Sequence, residues 1–200
     1  MNPTATIHMA NGARIEIELL PEAAPNTTAS FIWAASHGVF DGHAIERIVP
    51  GNWVDMSYTG FRKKEGQYLI PYESDLHPEL TPLDSEIGCV CMGGYDGLGQ
   101  AGCEFFFPLR SIPEHKGLYP VFGRITSGLE EVLRLEKVDI SPVTDFPISG
   151  LVVNRPVKPE VIEHVELDLK GKEYPEPVRI HEGVMTPSWQ QFWEKHVEKK

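Results

Sequence analysis

The sequence predicts a mainly β protein in which about eight short antiparallel strands form a closed barrel with two α-helices over its ends. The 18 glycines and 17 prolines make up 35 of the 200 residues, which is typical of a chain with many turns and short elements. Apolar and polar residues alternate in about eight short runs, the period of a half-buried strand. The two helical segments lie far apart in the sequence, so most strands are joined by loops and are expected to be antiparallel. Closing the sheet into a barrel would leave no exposed edge.

The N-terminal segment predicts a β-hairpin followed by a helix. Apolar residues alternate over 5–9 and over 15–19, and Asn11-Gly12 between these runs is a strong hairpin signal. Pro25 begins a helical stretch that ends at Gly38. One face of this predicted helix contains Thr28, Phe31, Ile32 and Ala35.

The rest of the chain to residue 169 supplies the other strands and the second helix. This helix is predicted to follow Ser127, because Ser127 and Glu130 have capping-box spacing and an apolar stripe follows them. Alternation over 161–169 predicts the closing strand, whereas residues 59–86 lack periodicity and are predicted to form a long loop. The remaining runs with the strand pattern are Ala44–Val49, Trp53–Tyr58, Gly88–Met92, Glu104–Leu109 and Val121–Ile125.

The chain is predicted to have a barrel domain over residues 1–169 and a C-terminal extension over 170–200. Tyr174-Pro175-Glu176-Pro177 is typical of an extended spacer, and a short amphipathic helix is predicted from Thr186-Pro187. This helix either docks on the barrel or presents an aromatic interface to a second subunit or a partner, and the oligomeric state is not predicted. Its aromatic and apolar face contains Trp189, Phe192, Trp193, His196 and Val197.

Charge and cysteine content narrow the class of protein. The net charge of −11 and the pI near 5.2 argue against a basic groove for nucleic acid and against a polybasic membrane surface. The first ten residues do not resemble a secretory signal, and no apolar run approaches the roughly 18 residues of a membrane span. Cys89, Cys91 and Cys103 are too few for a disulfide framework and are predicted to be buried, reduced thiols, as expected in the cytoplasm.

No metal site and no cofactor are predicted. His43, His77, His115 and His164 lie on separate loops and strands, without the spacing of a metal centre. Cys89-Val90-Cys91 lacks a second cysteine or histidine pair and is typical of a strand. A metal-dependent enzyme is therefore kept only as the third of three hypotheses.

Five motifs in one order resemble the cyclophilin family of peptidyl-prolyl isomerases. The segment FDGHAIERIVPG at Phe40–Gly51 resembles the family pattern F/Y-D-G-x-x-F-H-R-V-I-P-G. The resemblance covers roughly residues 3–169 and implies an eight-stranded barrel with two capping helices and isomerase activity. The other motifs are IPYESDLHPEL at 70–80, which is similar to bacterial cyclophilins, GCVCMGG at 88–94, GCEFFF at 102–107 and VFGRI at 121–125.

The resemblance implies that Arg47 is the catalytic arginine and that Phe106 forms the floor of a proline pocket. Rotation about an X–Pro amide faces a barrier of roughly 18–20 kcal/mol, which a protein can lower by stabilising the twisted amide. A guanidinium is always charged, and its planar set of donors can reach the substrate carbonyl and approach the prolyl nitrogen. Asp55 stands where the family has a glutamine that orients the arginine, so Asp55 is predicted to orient Arg47.

The other predicted substrate-binding positions depart from the family pattern. Asn52 and Trp53 replace an aromatic residue and a methionine, and Glu104 replaces a glutamine that contacts the substrate backbone. Tyr119 occupies the usual histidine position. The complete predicted set of substrate-binding residues is Asn52, Trp53, Met92, Gly93, Glu104, His115 and Tyr119.

The leading hypothesis is a cytoplasmic peptidyl-prolyl cis–trans isomerase that takes part in protein folding without a cofactor. Its partners would be proline-containing peptides or unfolded proteins, where cis isomers are populated and interconvert slowly. The alternative is a catalytically weak or inactive cyclophilin-like module that binds peptides. Asn52, Asp55 and Glu104 motivate this alternative, because Asp55 would neutralise the charge of Arg47 and the other two change the walls of the groove.

Overall fold

A computed structural model describes residues 1–95, 97–143 and 153–183, in which one antiparallel sheet of ten strands curls around an apolar core. A separate pair of strands forms a small second sheet. The strands are β1 Thr4–Met9, β2 Arg14–Leu19, β3 His43–Ala44, β4 Arg47–Val49, β5 Trp53–Asp55, β6 Leu69–Ile70, β7 Cys89–Tyr95, β8 Gly99–Pro108, β9 Val121–Ser127, β10 Ile140–Pro142, β11 Asn154–Pro156 and β12 Val161–Asp168. The α-helices are α1 Pro25–Ser36, α2 Glu73–Leu76 and α3 Leu129–Leu135.

The predicted mainly β architecture is confirmed, but the barrel is not closed. The strands follow the order β3-β12-β1-β2-β9-β7-β8-β5-β4, with β6 paired to β8, so β3 and β4 stand at opposite ends of the sheet. The run predicted as one strand over 44–49 divides because the buried residue Ile45 leaves the ladder, and its N–H donates to the carbonyl of Glu160 at 2.8 Å. The two end strands are therefore joined by a two-residue link and not by a ladder.

Helix α1 covers the core of the curled sheet. Its Phe31 is fully buried and lies 5.2–5.4 Å, ring centre to ring centre, from Phe40, Phe105 and Phe122. These rings come from the segment after α1 and from β8 and β9, so one aromatic cluster joins the helix to the middle of the sheet. The helix begins at Pro25 as predicted, where the missing N–H of proline costs no hydrogen bond.

The long segment 59–86 contains more structure than its sequence pattern predicts. It holds β6, α2 and two short 3-10 turns over 60–62 and 64–66. These elements are too short for hydrophobic periodicity to reveal them. The turns and α2 make local backbone hydrogen bonds, whereas β6 pairs with a distant strand, β8, through Leu69 and Ala101.

The capping box predicted at Ser127 and Glu130 is wrong. Ser127 ends β9, and Gly128 is the N-cap of α3, with φ of +86° and no side-chain cap hydrogen bond. A Cβ atom at residue 128 would lie 2.1 Å from the backbone oxygen of Arg14. Only glycine allows this close approach between the start of α3 and the start of β2.

We expect Gly128→Ala to lower the free energy of unfolding much more than Gly88→Ala. Gly88 has nearly the same φ, +87°, but a Cβ there would have no atom within 4 Å. The left-handed conformation alone costs about 1–2 kcal/mol in either variant. In Gly128→Ala the close contact with the backbone of Arg14 should increase this loss of stability by roughly 1–3 kcal/mol, as in an overpacked site. Urea unfolding of both variants measures the difference, and equal losses would show that the backbone relaxes around residue 128.

The described part of the C-terminal extension is attached to α1 and β6. The side chain of Asn26 accepts from Val178 N–H at 2.7 Å, and Ile180 exchanges two backbone hydrogen bonds with Leu69. The Arg179 guanidinium carbon lies 3.9 Å from the ring centre of Trp33. The predicted aromatic helix from Thr186 lies outside the described residues, and the domain boundary at 169 and 170 remains a prediction. Within 1–95, 97–143 and 153–183, no helix has the length and hydropathy needed to cross a bilayer.

Candidate active site

One groove gathers most of the predicted site residues. It has a volume of about 460 Å³ and lies where β4, β5, β7 and β8 meet the 3-10 turn Pro113–His115. Its wall residues are Arg47, Trp53, Asp55, Tyr58, Gly93, Gly94, Tyr95, Glu104, Phe106, His115 and Tyr119.

The register of four neighbouring strands places the central residues of the groove in one row. Arg47 of β4 pairs with Asp55 of β5, Asp55 pairs with Phe106 of β8, and Phe106 pairs with Cys91 of β7. Residues directly opposite each other on antiparallel strands share a face of the sheet. Side chains from four strands are therefore brought together.

A tight turn between β4 and β5 sets the first pair in this row. Pro50 and Gly51 occupy its two central positions, Gly51 has φ of +72°, and Asn52 N–H donates to the carbonyl of Val49 at 2.9 Å. Proline followed by a glycine with positive φ is the pattern of a type II turn. This turn sets the hairpin register that places Arg47 opposite Asp55.

Arg47 is held by a carboxylate and two aromatic rings. Its Nη1 donates to Asp55 Oδ2 at 2.7 Å, and the indole Nε1–H of Trp53 donates to the same oxygen at 3.1 Å. The guanidinium carbon lies 5.3 Å from the Trp53 ring centre and 5.1 Å from that of Tyr58, within the range of cation–π contacts. Burial raises the pKa of Asp55, and the charge of Arg47 and the hydrogen bonds oppose that shift.

Phe106 forms the apolar floor of the groove. Strand alternation directs Phe106 away from the main core, which contains its neighbours Phe105 and Phe107. Ring centres of other aromatic side chains lie 5.6–6.2 Å from that of Phe106. These rings, from Trp53, His115 and Tyr119, surround a space that suits a small apolar ring.

His115 and Tyr58 contribute rings to the groove without a charge at neutral pH. Burial lowers the pKa of His115 from its usual value near 6.5, and the neighbouring Glu114 opposes this shift. Burial raises the pKa of Tyr58, and the Glu104 carboxylate adds to that rise. Arg47 is the one lysine or arginine among the described wall residues, and His115 does not add a second positive charge.

Glu104 is an acid almost fully enclosed in the wall of the groove, with 5% of its surface exposed. Its Oε2 accepts from the hydroxyl of Tyr95 at 2.8 Å. Its Oε1 is buried, and among the described residues no group is hydrogen bonded to it. Burial raises the pKa of Glu104 well above its usual range, the Tyr95 hydrogen bond opposes this, and the carboxylate of Asp55 adds to the rise.

We expect Glu104 to make the protein less stable as the pH rises. Because the folded-state pKa is raised, the folded chain binds this proton more tightly than the unfolded chain. The stability of the wild type, relative to Glu104→Gln, should be greatest below the ordinary glutamate pKa. It should fall above that value by up to about 1.4 kcal/mol per pH unit until the folded carboxyl ionises. Urea unfolding of both proteins between pH 4 and 8 tests this, and parallel curves would contradict it.

The groove contains Arg47, Asp55 and Phe106 together, which were predicted to be catalytic. The predicted substrate-binding residues that line it are Trp53, Gly93, Glu104, His115 and Tyr119. Their catalytic and binding roles remain predictions.

Two of the predicted substrate-binding residues are not in the groove wall. The Oδ1 of Asn52 accepts from Arg110 Nε at 3.0 Å, so that side chain is engaged beside the groove. Met92 is fully buried in the main core, because it pairs with the core residue Phe105 and faces away from Phe106.

Sequence reasoning missed three wall residues. Tyr58, Gly94 and Tyr95 all line the groove. Gly94 belongs to the GCVCMGG motif, so its neighbour Gly93 could have indicated it. Tyr58 and Tyr95 had no local signal, because tertiary packing alone brings them to the guanidinium and to Glu104.

No group of three or more histidine, cysteine, aspartate or glutamate side chains suited to a metal ion occurs in the described ranges. The described wall residues supply one guanidinium, two carboxyl groups and a ring of aromatic side chains.

Comparisons with known proteins point to one family. The family model described as "Cyclophilin type peptidyl-prolyl cis-trans isomerase/CLD" matches residues 4–167. Peptidyl-prolyl cis-trans isomerase B of Bacillus subtilis is 33% identical over 132 residues, which is 66% of this chain and 90% of the relative.

Solved structures share the fold. A cyclophilin type peptidyl-prolyl cis-trans isomerase from Cryptosporidium parvum gives a TM-score of 0.61 at 19% identity, over 88% of this chain and 100% of that one. A second structure of that isomerase, obtained in the presence of the dipeptide Ala-Pro, gives a TM-score of 0.60 at 20% identity, over 82% and 98% of the two chains.

Proposed function

Because the chain belongs to the family of cyclophilin-type peptidyl-prolyl cis-trans isomerases, we propose that the groove around Arg47 and Phe106 is where it accelerates rotation about X–Pro bonds. The observation that carries this proposal is the cross-strand row of Arg47, Asp55 and Phe106. This row sets a fixed cation beside an apolar pocket, which are the two features that a non-covalent isomerase needs.

Arg47 acts as the hydrogen-bond donor to the twisting amide. Its guanidinium donates to the carbonyl oxygen before the proline and approaches the prolyl nitrogen as amide resonance is lost. Asp55 and the rings of Trp53 and Tyr58 fix the plane of the guanidinium, so little reorganisation is needed during the reaction. Asp55 is therefore a positioning residue in this proposal.

Phe106 and its surrounding rings hold the pyrrolidine ring still. The floor of the groove is apolar, and Trp53, His115 and Tyr119 close its sides. A proline side chain enclosed there stays fixed while the preceding carbonyl rotates. No covalent step and no cofactor takes part.

The substrates in this proposal are X–Pro segments of unfolded or flexible proteins, as the Ala-Pro dipeptide used with the C. parvum structure suggests. Slow X–Pro isomerisation limits the folding of many chains, so the protein would assist folding. The cytoplasm fits this role, because Cys89, Cys91 and Cys103 are free and buried.

A titration of isotope-labelled protein with a peptide that contains Ala-Pro tests where substrates bind. We expect NMR shift changes at the amides of Gly93 and Gly94 and at the Trp53 indole, which all lie in the groove wall. A peptide with Ala-Ala in place of Ala-Pro is the matched control and should bind at least about tenfold more weakly, as expected when an apolar ring is lost from a pocket. Equal shifts with both peptides, or shifts away from the groove, would overturn the assignment.

The alternative of a binding module is favoured by one contact, the 2.7 Å ion pair that balances the charge of Arg47 with that of Asp55. In that case the Ala-Pro peptide shifts the groove resonances but exchanges between cis and trans no faster than in buffer.

A further inference from the structure

One carboxyl oxygen of Glu104 has no hydrogen-bond partner in the described part of the chain. Oε2 accepts from Tyr95, whereas Oε1 is buried and receives no hydrogen bond from the described residues. A buried acceptor without a donor is destabilising. Glu104 lines the groove, so we expect a bound molecule that reaches the buried Oε1 to supply the missing donor.

Burial raises the pKa of Glu104 well above its usual range, so the empty groove favours the neutral carboxyl, and ionisation would place a second carboxylate in the wall with Asp55. Arg47 is already paired with Asp55 at 2.7 Å, so the second carboxylate shares a cation that is engaged elsewhere. The remaining titratable groups among the described wall residues are His115 and the tyrosines 58, 95 and 119. Burial disfavours the charged forms of His115 and Tyr58, so these side chains supply no second cation.

Deepening the proposed function and resting on it, we propose that Glu104 is a specificity-determining residue that makes the groove prefer X–Pro segments with a lysine or arginine next to the proline. A substrate ammonium or guanidinium beside Glu104 supplies the donor that Oε1 lacks among the described residues, and its positive charge favours the ionised form of Glu104. A neutral backbone N–H would supply only the donor. An acidic substrate residue would bring a third carboxylate close to Glu104 and Asp55 and should be disfavoured.

The test compares peptides that differ only in the charge beside proline. The peptides are Ala-Lys-Pro-Phe, Ala-Gln-Pro-Phe and Ala-Glu-Pro-Phe, together with a second series that places the same three residues after the proline. NMR exchange spectroscopy gives kcat/KM, and shift titration gives Kd. We expect the wild type to prefer lysine over glutamate by at least about tenfold in one series, the size of a charge-assisted hydrogen bond in a buried site.

Two variants distinguish the effect of the Glu104 side chain on substrate preference from the effect of the net charge of the protein. Glu104→Gln keeps the shape and an acceptor for Tyr95, and the preference should fall below about threefold. Glu130→Gln, at an exposed position of α3, changes the net charge equally and should keep the preference.

The possible results have separate meanings. A preference that persists in Glu104→Gln would overturn the inference and assign the effect to the overall charge of −11. An equal loss of activity on all three peptides in Glu104→Gln would also overturn it, because it would indicate a backbone contact. If the wild type accelerates no peptide, the proposed function fails, while the charge ranking of Kd still decides the role of Glu104.

Discussion

Replacing Arg47 by alanine is expected to lower kcat/KM for X–Pro isomerisation by at least about 100-fold, or roughly 2.7 kcal/mol of transition-state stabilisation. The guanidinium is the one lysine or arginine group in the described groove wall, so no neighbouring cation can replace it. Arg47→Lys keeps the charge but loses the planar set of donors, and we expect it to recover only part of the activity. The rate of cis–trans relaxation of an Ala-Pro peptide after a solvent jump gives these values.

Loss of fold must be separated from loss of catalysis, because Arg47→Ala leaves the enclosed Asp55 carboxylate without its ion-pair partner. Arg47→Gln combined with Asp55→Asn removes both charges and should stay folded but inactive. Arg62→Ala is the matched control, since Arg62 forms a 2.7 Å ion pair with Glu46 outside the groove and its loss should leave kcat/KM unchanged. Activity in Arg47→Ala within a few-fold of the wild type would exclude the proposed role of the arginine.

Replacing Glu73 by alanine is expected to reduce the free energy of unfolding by about 3 kcal/mol or more. Glu73 Oε1 accepts from Asn26 N–H at 3.0 Å, and Oε2 accepts from Thr27 N–H at 2.8 Å and from the Thr27 hydroxyl. These amides begin α1, where the N-cap residue Ala24 has no side-chain acceptor. The variant would leave the two buried N–H groups without an acceptor, at about 1–3 kcal/mol each, and remove a negative charge from the positive end of the helix. The Thr27 hydroxyl would keep its 3.4 Å contact with Gln100 Oε1.

A neighbour in the same short helix provides the control. Asp75→Ala removes an exposed carboxylate from α2 and should change stability by less than about 0.5 kcal/mol. Glu73→Gln keeps one carbonyl acceptor, so its loss of unfolding free energy should lie between those of Glu73→Ala and Asp75→Ala. Equal urea midpoints for Glu73→Ala and Asp75→Ala would show that α1 does not depend on this distant acceptor.

Local sequence signals predict the elements whose causes are local. The Asn11-Gly12 hairpin, the start of α1 at Pro25 and the strand β12 all occur where the pattern places them, although the alternation of β12 is broken between the buried residues Ile162 and Val165. The N-terminal acceptor of α1 could not be predicted in this way, because Glu73 lies 46 or 47 residues from the amides that it satisfies. Gly128 was missed because the contact that requires glycine is with Arg14, on a distant strand.

In the candidate site, too, some residues could be predicted from local sequence signals and others depend on tertiary contacts. The motif resemblance identifies Arg47 and Phe106, but their arrangement depends on the register of β4, β5 and β8, which links residues about 50 positions apart. Met92 lies in the core because Cys91 pairs with the groove residue Phe106 and adjacent strand residues face opposite sides, and that pairing has no local sequence signal. Tyr95 reaches Glu104 only through tertiary packing of the β7–β8 hairpin, so its role has no signal in the sequence.

Two-dimensional NMR exchange spectroscopy on an Ala-Pro peptide with a catalytic amount of the wild-type protein tests the proposed function most directly. We expect cross-peaks between the cis and trans proline resonances at mixing times where buffer alone gives none, since uncatalysed exchange takes tens to hundreds of seconds. Peptide shifts without such cross-peaks would contradict the proposed function. They would mean that the groove of Arg47 and Phe106 binds proline but does not accelerate cis–trans isomerisation.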